Sequence, residues 1–172
     1  MQLEKQIYYS QGGITVERST RQDAEFIAFN MRKQDRDEIW ASHNFTPQQA
    51  VKYSIEKTIF CLTVKIENRP VCLFGVNGVT ILGNEGVVWL LSTDEIEKIG
   101  FRFARHSRHF VNIMLEYYPV LFNHVSVENT VSINWLKMLG AKFDTAKPFG
   151  IEQRLFRYFS FHKEKQSCAH QL

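Results

Sequence analysis

The sequence predicts one α/β domain: a mixed sheet with helices on both faces. Three observations lead there. Early apolar strands are joined by a hairpin turn, and later ones alternate with helical segments. One run, Gly86-Val-Val-Trp89-Leu90-Leu91, is apolar at nearly every position. Hairpins give antiparallel pairs and crossover helices give parallel ones, so both kinds belong in one sheet. The wholly apolar run belongs at its centre.

The elements follow in order. Residues 1–13 read as a polar lead-in ending at Gly12-Gly13, and residues 14–18 alternate as a first strand. Thr20 with Asp23 three residues on opens a helix as a capping box, and Ala24, Ile27, Ala28 and Met31 share one face. That helix breaks near residues 33–36. Thr46-Pro47 starts the next, which runs to about Lys57. Residues 59–66 and 70–76 are strands joined by the turn Glu67-Asn68-Arg69. After the central strand, a helix from about Glu97 to Tyr117 buries Phe103, Ser107, Phe110, Val111, Met114 and Tyr118, and Pro119 stops it. Residues 121–127 form a strand, 132–139 a short helix capped by Gly140, and 141–143 and 154–161 the last strands. The domain spans 14–162, and 163–172 is a polar, frayed tail.

Composition narrows the function. The formal charge of +3 is too small to argue for nucleic acid. Cys61, Cys72 and Cys168 have no metal-ligand spacing and give no disulfide framework, so reduced thiols and a reducing compartment are expected. His106 and His109 sit one helical turn apart without a third ligand, so no metal is expected. The N-terminus has no signal-peptide pattern and no run reaches membrane-helix length, so an intracellular, membrane-free protein is expected. Core packing accounts for most of the fourteen phenylalanines, and a surplus on one face of the last strand would suit a homo-oligomer or another protein partner.

The segment Asn129-Thr-Val-Ser132-Ile-Asn-Trp135-Leu136-Lys-Met-Leu-Gly140-Ala141-Lys-Phe143 resembles a GNAT acetyltransferase motif: an asparagine ends a strand, and a helix closing on glycine leads to the next strand. The element order is also similar to that family. More narrowly, residues 20–161 resemble a GNAT-like family of tailed phages that includes internal virion proteins of short-tailed phages. This likeness is carried by Met31-Arg32, Asp37-Glu38-Ile39-Trp40-Ala41-Ser42, Thr46-Pro47-Gln48-Gln49-Ala50, Phe74-Gly75, Trp89 to Asp94, Tyr118-Pro119 and Trp135-Leu136-Lys137.

The resemblance implies a mostly antiparallel sheet, acetyl-CoA as co-substrate, an amine acceptor and a phage or prophage origin. It implies residence in the host bacterial cytoplasm, with packaging in the virion as the alternative. Leu90, Leu91 and Ser92 would pair with the pantetheine arm and supply an oxyanion donor, and Asn129 and Ser132 would contact the same arm. The diphosphate would lie against residues 97–102, where Gly100 remains and Phe101 and Arg102 are bulky; Lys98, Arg102 and Arg105 would help hold it. The general-acid tyrosine of the family is replaced by Leu136. Glu85, Glu128 and His124 are candidate bases, though each reads first as an ordinary structural residue. The lost tyrosine and the altered loop keep a second reading open: a non-catalytic virion or assembly protein on the same fold.

Overall fold

The computed structural model describes residues 6–80 and 83–164, with residues 100–102, 104 and 105 described by their backbone only. The strands are β1 (Ile7–Gln11), β2 (Ile14–Arg18), β3 (Thr58–Ile66), β4 (Arg69–Gly78), β5 (Glu85–Ser92), β6 (Val120–Ser126), β7 (Lys142–Phe143), β8 (Lys147–Phe149) and β9 (Arg154–His162). The helices are α1 (Arg21–Phe29), α2 (Lys33–His43), α3 (Pro47–Lys57), α4 (Ile96–Tyr117) and α5 (Thr130–Met138). One sheet runs β1-β2-β3-β4-β5-β6-β9-β7, with β8 also on β9. Every pair is antiparallel except β5 with β6, as the helical crossover α4 between them requires.

The central run becomes β5, and its alternation separates two cores. Trp89 and Leu91 join α1 and α3 through Ala24, Ile27, Ala28, Ala50 and Val51. Val88 and Leu90 face the larger core, where Phe103, Phe110 and Met114 of α4, Ile133 of α5 and Leu139 at its C-terminal cap pack with Phe159 and Phe161 of β9. The Trp89 ring packs close to β4 where Gly75 has no side chain. A Cβ there would sit 2.8 Å from Trp89 Cζ2 and 2.3 Å from the Phe60 carbonyl oxygen.

Two differences from the sequence reading matter. The polar lead-in carries β1, which pairs with β2 through the turn at Gly12-Gly13. The stretch read as a break after the first helix is α2. It has no apolar stripe to announce it, since its buried residues are Asp35 and Ala41. Polar anchors hold it instead. Its C-terminal end is sealed by the turn between β8 and β9, where Ile151 N–H donates to the Ser42 carbonyl at 3.3 Å and Glu152 N–H to the Ala41 carbonyl at 3.0 Å. Gly150, at φ +76°, lets that turn approach; a Cβ would lie 2.4 Å from Ser42 Cα.

Cys61 and Cys72 are free thiols, the former against Ser19 Oγ and the latter buried. Cys168 lies outside the described residues. Among those residues no helix is long and apolar enough to cross a membrane.

Candidate functional site

The parallel pairing of β5 with β6 lasts three steps, from Glu85↔Val120 to Val87↔Phe122. Beyond it the strands part, because β5 stays on β4 to Ser92 while β6 stays on β9 to Ser126. The opening is a cleft of about 300 Å³.

Period-two geometry turns the edge groups of Val88, Leu90 and Ser92 into this gap. Asn123 bridges the first step, donating Nδ2–H to the Val88 carbonyl at 2.8 Å. Ser92 is taken by α2: its N–H and its hydroxyl both donate to Asp35 Oδ2 at 2.8 Å, and its carbonyl accepts from Arg32 N–H at 2.9 Å. Leu90 lies between them, opposite Phe74 of β4, and the same alternation turns its N–H and C=O toward the gap. It offers one donor and one acceptor to an extended amide.

Helix α2 brings a polar cluster to the mouth of the gap. Arg32 and Asp35 form a buried ion pair, Nε to Oδ1 at 2.7 Å, and Arg32 Nη2–H donates to Ser132 Oγ at 3.1 Å. Burial pushes the Asp35 carboxyl above its usual range, against the pull of Arg32 and the Ser92 bonds. One turn further, Glu38 accepts from Ser126 N–H on β6 at 3.1 Å, and the Asn129 side chain also hydrogen-bonds its carboxyl. Burial, with Asp35 adding repulsion, raises Glu38 to about 7 despite those bonds. A carboxyl poised there can accept a proton at neutral pH. His43 and His124 line the same mouth and are pushed by burial toward the neutral form.

The expected site residues divide. Leu90, Leu91, Asn129, Ser132, His124 and Leu136 all line the cleft. Ser92 closes its end with both donors given to Asp35. Asn129 is buried and caps α5, its Oδ1 accepting from Ser132 N–H at 3.1 Å. His124 stacks on Phe149, ring centres 3.8 Å apart. Glu85 and Glu128 are exposed and outside the cleft lining, so neither is placed to act as its base.

The stretch expected to hold a diphosphate is helix: α4 begins at Ile96, which puts Gly100 in its second turn. At that terminus Ile96 N–H donates to the Thr93 carbonyl at 3.1 Å and Lys98 N–H to the Glu95 carbonyl at 3.0 Å. The Lys98 side chain is exposed, 3.9 Å from Glu95. The side chains of Phe101, Arg102 and Arg105, and any role at Gly100 beyond its backbone, lie outside the described residues. Glu38 was missed as a site residue because its helix was missed. The signal available was the polar run from Lys33 to Glu38, too hydrophilic for a core helix yet between two structured segments.

Comparisons with known proteins address the fold. The family described as "Bacteriophage T7, probable scaffold protein Gp13" matches residues 70–147, less than half of the chain. No curated protein matches it in sequence. Solved structures do match over nearly its whole length. The ribosomal-protein-S5-alanine acetyltransferase of Vibrio fischeri superposes with a TM-score of 0.66 at 17% identity, covering 91% of this chain and 97% of that one. The fold is that of the GNAT acetyltransferases. A GNAT-family acetyltransferase of Bacillus anthracis gives 0.67 at 12%, covering 93% and 100%. Spermidine N-acetyltransferase of Vibrio cholerae, solved with CoA and spermine, gives 0.59 at 16%, covering 88% and 96%. At such identities the likeness is one of GNAT fold alone. Among the described residues, no group of three or more His, Cys, Asp or Glu could hold a metal ion.

Proposed function

We propose that this chain is an acetyl-CoA-dependent N-acetyltransferase of phage or prophage origin, working in the host bacterial cytoplasm. The observation that carries the reading is the gap between β5 and β6, with the Leu90 edge groups facing it and a carboxyl near neutrality at its mouth. The residues present fit part of the cofactor. Leu90 suits an amide of the pantetheine arm, whereas Ser92 is already engaged and the α4 terminus has no open glycine loop. Lys98 stands at that terminus as a cation for the diphosphate.

The chemistry assigned to this chain is proton handling and orientation. Glu38 takes a proton from the acceptor ammonium, and the neutral nitrogen forms the C–N bond as the C–S bond breaks. Sulfur leaves with the electron pair, and the nitrogen's second proton goes to solvent and on to the thiolate. Leu136 supplies no acid, but a thiol of pKa ~8.5 leaves tolerably without one. The missing acid costs about 10²–10⁴-fold, so turnover is expected to be slow. Thiol release from acetyl-CoA in the presence of primary amines checks this. Amine-dependent release that falls about 100-fold or more in Glu38→Gln is expected; release independent of amine, or unchanged in the variant, would sink the role of Glu38.

A second reading is a virion or assembly protein that keeps only the fold. It is favoured by the match of residues 70–147 to the phage scaffold family and by the carboxylates already bound to strand amides. Mass spectrometry of purified particles separates the two, since only the second reading expects the chain there in fixed copy number.

A further inference from the structure

Three tryptophans are present, and their indole N–H groups have different fates. Trp40 is about half exposed and can donate to water. Trp89 donates Nε1–H to Asn77 Oδ1 at 2.8 Å. Trp135 Nε1 is buried and has no partner among the described residues. A buried donor left unpaired costs about 1–3 kcal/mol, and folded proteins rarely tolerate one without a purpose.

The surroundings say what kind of partner is missing. Trp135 lies on α5, lines the cleft and packs edge-on against Phe103 of α4, ring centres 6.1 Å apart. The same cleft is lined by the apolar Phe74, Phe103, Phe110 and Leu136, and its polar side chains Arg32, Asp35 and Ser132 are already bonded to one another. The nearest hydroxyl on α4, Ser107, gives its proton to the Phe103 carbonyl at 2.9 Å. A ligand here therefore needs little polarity and one acceptor oxygen. A carbonyl flanked by methylene groups has that character. An ammonium has no acceptor, and a phosphate would be left with unpaired charge in an apolar wall.

We infer that Trp135 Nε1–H is the hydrogen-bond donor to a carbonyl oxygen of a bound acyl-CoA's pantetheine arm. The inference rests on the acetyltransferase reading and deepens it. Leu90 and Trp135 line the same cleft, and the alternation of β5 turns the Leu90 backbone donor and acceptor toward the gap, so an extended arm would be held by a strand edge along β5 and by an indole from α5. The pairing also assigns a task to the α5 wall, where Leu136 offers no polar atom.

The test uses the full chain labelled with ¹⁵N and reads the three indole resonances, Trp135 being assigned by its disappearance in Trp135→Phe. CoA and acetyl-CoA are each titrated while calorimetry follows binding. The expected result is a downfield shift of the Trp135 indole proton with both ligands, small changes at Trp40 and Trp89, and about tenfold weaker binding by Trp135→Phe. The melting temperature of unliganded Trp135→Phe is expected to match or exceed that of the wild type, because an unpaired donor is removed with a ring retained. Binding heat without movement of the Trp135 resonance would overturn this inference and leave the acetyltransferase reading intact. No heat and no shift at millimolar acetyl-CoA would overturn both.

Discussion

Asp35→Ala is expected to destabilise the fold by about 3–5 kcal/mol, the cost of stranding a buried charge. Asp35 holds Arg32 at 2.7 Å and takes both donors of Ser92, so its removal orphans a guanidinium, a hydroxyl and a backbone N–H together. Both partners are almost fully buried. The same ion pair ties α2 to β5, and through Ser132 Oγ to α5. The double change Arg32→Met with Asp35→Leu removes charge and countercharge at once and is expected to recover much of the loss. Urea unfolding of the three proteins checks this. A single variant within 1 kcal/mol of wild type would mean that the pair is hydrated and does not anchor α2.

Glu38 sets the second large effect, and its sign is opposite to that of an ordinary carboxylate. Its folded-state value is raised from 4.5 to about 7, so the folded protein holds that proton more tightly than the unfolded chain. The contribution is fully present below about pH 4.5 and is lost as pH rises to about 7. At ~1.4 kcal/mol per pH unit the loss is at most roughly 3 kcal/mol. Glutamine cannot ionise, and its oxygen can still accept from Ser126 N–H. Glu38→Gln is therefore expected to gain on the wild type as pH rises, and to be the more stable protein at pH 8. His43 and His124, both lowered by burial, push the other way, gaining stability as pH rises, but they are common to both proteins and cancel in the difference. Unfolding free energies across pH 4–8 that run parallel for the two proteins would show that Glu38 titrates normally.

Both effects come from α2, the element least legible in the sequence. Patterns that report apolar burial were readable. The capping box at Thr20 places α1, Thr46-Pro47 places the start of α3, the glycine-led run places β5, and Pro119 ends α4. Helix α2 buries carboxylates rather than a stripe, and a buried ion pair has no periodicity to detect. The same holds for β1, whose residues are mostly exposed and whose pairing depends on β2 across a glycine turn.

For the site, the resemblance pointed to Leu90, Asn129 and Ser132, which the fold does bring to one cleft. It could not tell that Asn129 and Ser132 would be held by Glu38 and Arg32, because those contacts span about a hundred residues of chain. At Gly100 the periodic pattern already placed a helix from about Glu97, as α4 bears out, whereas the resemblance put a diphosphate loop on the same residues; one glycine is tolerated in either. Glu85 begins β5 and Glu128 follows β6, and both are exposed and outside the cleft lining, which strand-end position alone does not reveal.

The central claim is that the gap between β5 and β6 receives an acyl-CoA arm at the Leu90 edge. Amide hydrogen exchange along β5, with and without acetyl-CoA, tests it most directly. The expected result is slowed exchange of the Leu90 N–H on adding acetyl-CoA, while the Ser92 N–H, already bonded to Asp35, changes little. Unchanged exchange at Leu90 with acetyl-CoA at millimolar concentration would contradict the claim, and the cleft would then belong to a fold kept for assembly.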